Sequence, residues 1–481
     1  MKKYFLIVLI IFLSSFSTIR TQTITSTTTG GHWNTGTTWV GGTVPGENND
    51  VIINGPIIIG YQTCNNLTIN NNGSVTDEPS AGRTLTIKGN LTNYGRVFTT
   101  PGYAGVELSI QGHLYNYGIL ESRSIVFSGG AIQNITSNQV IKVSRIDKSP
   151  DGSIIAQSNI EIDSVTYVNL SNDILNMGNY KLTKYCRTNI ESTNIIEGGT
   201  VFSNGELDIS GRFGSNLDGN FVLVGNRPMR FTGGNVIENN LVVGTGKIIE
   251  DECCAGRTIY VRGNLTNNGT IRNAPGQSGL VVNVEGNVIN NGEFSSRLIF
   301  SGSGDQSISG TNIFSNSNIS KSPNGTITAL SNITFDSTTT VDIQGDILNM
   351  GNYKLIKYCP EDIEWGTIIY GGTIFSDGEL DISGRMGSNL DGNYTLVGNR
   401  PMRFTGNNEL FGTMTVAEGK IIEEECCAGR EVYIKGTLVN NGTMRHGPGQ
   451  GGLTVKAEGN IFNHGTFTSR IQFIGSDYQS I

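Results

Sequence analysis

The chain reads as an all-β protein, a right-handed parallel β-helix (a β-solenoid), on three observations. Short alternating segments are cut by Gly and Asn every few residues, a motif of the form G-x-L-x-N-x-G recurs at a spacing of 23, and a longer unit of 173 residues repeats almost unchanged. The short repeat is seen in GNLTNYG at 89–95 and GHLYNYG at 112–118. GNLTNNG at 263–269 is followed by GNVINNG at 286–292, and GTLVNNG at 436–442 by GNIFNHG at 459–465. The long repeat carries ILNMGNYKL from 174–182 to 347–355 and makes 202–233 identical to 375–406 at 28 of 32 positions. Further copies start at DEPSAGR (77–83), DECCAGR (251–257) and FIGSDYQSI (473–481).

Each segment between turns alternates apolar and polar residues, as in Leu85-Thr-Ile87-Lys and Val432-Tyr-Ile434-Lys, which is the two-residue period of a strand. Helices are excluded because turn formers interrupt every segment before a helical stripe can form. Glycine is 65 of 481 residues and charged residues are 15 %, a balance suited to many short strands and turns rather than to separate globules. Twenty-three residues suit one coil of a solenoid, whose inward Ile, Val, Leu and Phe form one continuous core. At roughly 4.8 Å per coil, about 20 coils would stack to on the order of 95 Å. Asn at the same place in successive coils is expected to form hydrogen-bonded ladders. A β-propeller, whose blades run to roughly 40–50 residues, is the main rival, and spacings of 23 and 173 fit it poorly.

The expected organisation is a signal peptide over 1–22, a capping segment with the first coils over 23–76, and β-helix units over 77–250, 251–423 and 424–481. The last unit reads as truncated because the chain stops inside a repeat. Met1-Lys2-Lys3 followed by an apolar run over 4–16 is the pattern of a secretory leader, a retained anchor being the alternative. Without Lys2, Lys3 and Arg20 the formal charge goes from −8 to −11, a poor match for nucleic acid or anionic lipid. The mature chain is expected outside the cytoplasm, secreted or on the outer cell surface, with no membrane insertion.

The G-x-L-x-N-x-G coils resemble those of filamentous-haemagglutinin-type adhesins. The segment at 30–55, through Trp33, Trp39, Gly42, Pro45, Asp50, Val51 and Ile53, resembles the opening of many secreted Bacteroidetes surface proteins and the extracellular G8-type module. The resemblance implies that this segment caps a β-helix. It also implies type IX secretion for a longer chain bearing a sorting domain.

Paired carboxylates are the first site candidates. In Glu206-Leu-Asp208-Ile-Ser210, alternation places Leu207 and Ile209 inside and the polar residues outside, and Glu379, Asp381 and Ser383 repeat this. Carboxylates two strand residues apart lie roughly 6.6 Å from one another, within reach of glycosidase chemistry or a shared calcium ion. The plainer reading is a solvated face balanced by Arg212 and Arg385. The runs Glu250-Asp251-Glu252 and Glu423-Glu424-Glu425 are a second calcium candidate, read more simply as solvated turns. Histidines 32, 113, 446 and 464 do not recur at matching positions, and general acid–base catalysis finds no support.

Seven cysteines remain: Cys64, Cys186, Cys359 and the adjacent pairs Cys253-Cys254 and Cys426-Cys427. The lone residues read as core-filling thiols and the pairs as candidate vicinal disulfides. Zinc is disfavoured by the absence of a C-x-x-C spacing. Tyr180, Tyr185, Tyr353 and Tyr358, set among lysines, are candidate carbohydrate contacts, with packing at a coil corner as the alternative. The sequence thus points to a structural or adhesive surface protein without catalytic activity or cofactor. Its expected partners are surface glycans or other surface proteins; a polysaccharide-binding or polysaccharide-cleaving β-helix is the alternative.

Overall fold

The computed structural model describes residues 22–79, 82–130, 132–186, 196–251, 256–276, 279–358, 369–424, 429–447 and 451–481. The chain is a right-handed parallel β-helix of about 18 turns. Among the described residues there is no α-helix, and one 3-10 turn at Gly36–Thr38. It forms two compact bodies, one ending at Leu175 and one spanning Asn176–Ile481.

In the first body, alternation becomes register. Strands Leu67–Ile69, Leu91–Asn93 and Leu114–Asn116 pair in parallel, so that Leu67, Leu91 and Leu114 stack inward and Thr68, Thr92 and Tyr115 face out. Strands Arg83–Ile87, Val106–Ile110 and Ser124–Phe127 form a second ladder of the same kind, with Leu85, Leu108 and Ile125 in one buried column. Strands Pro56–Ile59, Ser74–Asp77, Arg96–Phe98 and Ile119–Glu121 form the third. At the start, Thr23–Thr25 pairs with Asp50–Ile52, and Trp33 and Trp39 meet edge to face with centroids 5.0 Å apart. Both indoles are buried and satisfied: Trp39 Nε1 donates to the Trp33 carbonyl at 2.6 Å, and Trp33 Nε1 to that of Pro45 at 3.3 Å.

The second body repeats the three-ladder plan. Leu241, Leu265 and Val288 stack in one column, and Phe294, Phe314 and Phe335 in another, with ring centroids 5.5 and 5.8 Å apart. Coil length is not constant at 23. Leu182 sits against Leu207, 25 residues on, while Leu207 sits against Leu223, only 16 on. The short coil arises because one strand, Gly211–Asp218, serves two faces and pairs with both Pro228–Phe231 and Asn235–Ile237.

The expected asparagine ladders form, and all their members but Asn463 are buried. Asn93 Nδ2 donates to Asn116 Oδ1 at 2.8 Å, and Asn116 Nδ2 to Ser137 Oγ at 3.0 Å. Asn267 donates to Asn290 at 2.8 Å and Asn440 to Asn463 at 2.7 Å. Asn93, Asn267 and Asn440 also reach a carbonyl of the next coil, as Asn267 does at Glu293, 2.9 Å away. Beside the ladder the backbones close up: a Cβ on Gly118 would lie 2.2 Å from the Gly95 carbonyl oxygen, so only glycine fits.

Two outcomes follow for stability. Asn267→Ala removes a buried donor and strands the Asn290 oxygen, and is expected to cost about 1–3 kcal/mol in urea unfolding. Asn291→Ala, on an exposed ladder, is expected to stay within about 0.5 kcal/mol; equal effects would contradict the burial argument. Tyr394 is buried with a hydroxyl that makes no hydrogen bond, where the preceding repeat has Phe221. Tyr394→Phe is therefore expected to raise stability by about 1 kcal/mol, read from the same unfolding curve.

Candidate functional site

The second body holds one polar corner twice. In the first copy, strands Leu182–Lys184, Glu206–Ile209 and Val222–Leu223 pair in that order, with Thr183 opposite Asp208. Tyr185, at the end of the first strand, donates its hydroxyl to Asp208 Oδ2 at 2.7 Å, and the Arg227 guanidinium lies 4.6 Å from the Tyr185 ring centroid. Lys181 Nζ stands 3.1 Å from Glu206 and 3.9 Å from Asp208. The second copy reproduces this: Tyr358 donates to Asp381 at 2.8 Å, Arg400 stacks on Tyr358 at 4.9 Å, and Lys354 lies 3.0 and 3.8 Å from Glu379 and Asp381. Burial raises the Tyr358 phenol above its ordinary range, and its hydrogen bond to Asp381 adds to the rise.

This geometry corrects the expected solvated face. Glu206 is exposed, but Asp208 and Ser210 are buried. The physical reason is a lid of Tyr185 and Lys181 over the carboxylate, with Gly225 beneath it at φ +91°, where a Cβ would come within 2.1 Å of Asp208 Oδ1. Lys181 supplies a counter-charge to both carboxylates, and Ser210 Oγ accepts from the Cys186 amide at 3.2 Å. A calcium ion shared by Glu206 and Asp208, or by Glu379 and Asp381, would have to displace a lysine. Among the described residues no three His, Cys, Asp or Glu side chains converge on a metal position.

A lysine completes each corner from below. Lys247 is fully buried and donates to the carbonyls of Ile209 and Arg227, the latter at 3.1 Å. Lys420 does the same to Ile382 and Arg400. Because the 16-residue coil is short, Lys247 reaches past it to a carbonyl 38 residues back. Burial pulls both ammonium groups down to about 8, with Asp208 and Asp381 opposing the shift. Sequence reasoning missed these lysines, since each sits at a turn with nothing in its immediate neighbours to mark it as inward.

The acidic runs also need correction, for they are not solvated turns. Glu250, Asp251, Glu423 and Glu424 are all buried. Glu250 lies between Arg230 and Arg272, whose nitrogens approach to 3.2 and 2.6 Å, and Glu423 sits likewise between Arg403 and Arg445. Asp251 accepts from the amides of Ala274 and Gly279, and Glu424 from those of Gly447 and Gly452. Asp77 plays the same part in the first body, accepting from Gly105 at 2.7 Å. Each carboxylate accepts from amides of the next coil, so desolvation is offset by charge-assisted hydrogen bonds. Glu252 and Glu425 lie outside the described residues.

Tyr180 and Tyr353 are partly exposed, whereas Tyr185 and Tyr358 each have an arginine across the ring and a hydroxyl committed to aspartate. The candidate disulfide residues Cys253, Cys254, Cys426 and Cys427, and Cys359, lie outside the described residues. Cys64 is buried in the first body, where burial pushes its thiol up to about 12. The chain matches no family model, no curated protein and no solved structure.

The buried lysines carry a pH test. Between about 8 and 10.5 the unfolded chain binds a proton at position 247 that the folded chain has released, so stability rises with pH across that window. Relative to Lys247→Met, the wild type is expected to gain about 2–3 kcal/mol from pH 8 to pH 10.5. A constant difference in urea unfolding over that range would contradict the buried ammonium.

Proposed function

We propose that the chain is an extracellular structural and adhesive β-helix, displayed at or released from the cell surface, without catalytic activity of its own. The observation that carries this is the duplicated corner. Residues 202–233 and 375–406, identical at 28 of 32 positions, build the same network twice within one solenoid. In each copy the corner carboxylate, Asp208 or Asp381, is engaged by a tyrosine and a lysine of its own corner. Repetition of that kind extends a surface, whereas a catalytic centre needs one site with an unbound carboxylate or nucleophile facing substrate. The basic start and apolar run at 1–16 support export, and the acidic, repeat-built surface suits display.

Expression of the full chain with its own leader, followed by fractionation and protease treatment of intact cells, tests the location. The expected result is protein in the medium or digested on intact cells; protein retained in the cytoplasm would refute it. In parallel, the purified chain is expected to release no new reducing ends from a polysaccharide panel, and release from any member would refute the non-catalytic reading.

A further inference from the structure

The outer corner next to the buried asparagine ladder is a column with one side chain per coil. In the first body it runs Asn54, Asn70, Tyr94, Tyr117, Asn138. The amides of Asn70, Tyr94, Tyr117 and Asn138 each donate to the coil before, at Ile53, Ile69, Asn93 and Asn116. In the second body the same corner is Asn268 and Asn291, then Asn441 and His464, with matching amide bonds to Val243, Asn267, Val416 and Asn440. A turn glycine directly follows Tyr94, Tyr117 and each of the four second-body residues, at 95, 118, 269, 292, 442 and 465. The fold therefore builds this corner with Asn, and the tyrosines of the first body answer no requirement of the backbone.

What they create is a stacked aromatic pair on the outer corner. The Tyr94 and Tyr117 rings stack with centroids 5.3 Å apart and planes 16° from parallel, and Tyr94 is 46 % exposed. Tyr115 follows on the outward face of the same coil, with His113 edge-on to it at 6.3 Å. Asparagines hold the column at both ends of the pair: Asn70 below, whose side chain donates to Asn54 Oδ1 at 2.7 Å and keeps its own oxygen as an acceptor, and the exposed Asn138 above. The aromatic surface that the pair leaves exposed, bordered by neutral donors and acceptors, suits a pyranose, whose C–H groups pack on aromatic carbon while its hydroxyls meet the amides. Stacked rings on successive coils also suit a chain of sugars rather than a single one.

We propose that Tyr94 and Tyr117, flanked by Asn70 and Asn138, form a carbohydrate-stacking platform for a neutral glycan of equatorially substituted pyranoses, the β-glucan type. This gives a ligand class to the adhesive reading and rests on it. The binding test uses purified protein, so its failure is distinct from a failure of localisation.

The probes are hydroxyethylcellulose and a soluble mixed-linkage β-glucan in native affinity gels. The wild type is expected to be retarded by at least one of them. Tyr94→Asn/Tyr117→Asn, which installs the residues of the second body, is expected to weaken that retardation at least tenfold while leaving circular dichroism and the thermal midpoint near wild type. Tyr94→Phe/Tyr117→Phe keeps the stacking rings and is expected to retain binding. Absence of retardation by both glucans, or full retardation of the folded Asn variant, would overturn the proposal.

Discussion

Everything in this chain depends on in-register parallel pairing between neighbouring coils. Each strand is only a few residues long and has too little apolar surface to hold itself, so it is stabilised by the coil on either side. Parallel pairing places like on like: leucine over leucine, phenylalanine over phenylalanine, and asparagine over asparagine. For apolar columns that is ordinary core packing. For asparagine it is a strict condition, because a buried amide is tolerable only if the next coil presents its partner at the same height. The ladder Asn267–Asn290 therefore both needs the register and enforces it.

The buried charges follow from the same constraint. Where coils change length, strands leave carbonyls that no neighbouring amide meets, and lysines fill the gap. Lys247 and Lys420 do so behind the short coil, and Lys148 and Lys321 do so at glycine turns, the latter with Gly302, Gly304 and the Gln306 side chain as acceptors. The complementary case is the carboxylate that gathers stray amides, as Asp77, Asp251 and Glu424 do at Gly105, Ala274 and Gly452. A chain with few charges thus commits several of them to structure, and its distinctive surface features are left to the outward columns.

The fold was legible in the sequence because its signal is periodic. Alternation, turn spacing and the recurring Asn each report on local backbone, and together they specify stacked coils. The polar sites were less legible because burial depends on neighbours a whole coil away. Asp208 alternates as an outward residue and is nevertheless covered, since Tyr185 and Lys181 come from the preceding coil. Glu250 looks like part of an exposed acidic run until Arg230 and Arg272 close over it from coils on both sides. Tyr94 and Tyr117 stand in the short repeats where later copies have Asn, but only the stacked columns show that the two rings meet. Coil length was misjudged for the same reason: a coil of 16 residues has no marker except the strand that serves two faces.

The most direct test of the account is the register itself. Thr258 faces Val281 and Tyr260 faces Asn283 across two adjacent coils. Spin-label amino acids placed as the pairs 258/281 and 260/283, leaving the native cysteines intact, report both separations by dipolar broadening. Parallel in-register coils predict strong and equal broadening for the two pairs, at roughly one coil spacing of 4.8 Å. Broadening in only one pair, as antiparallel strands would give, or in neither, would contradict the β-helix and the outward columns argued from it.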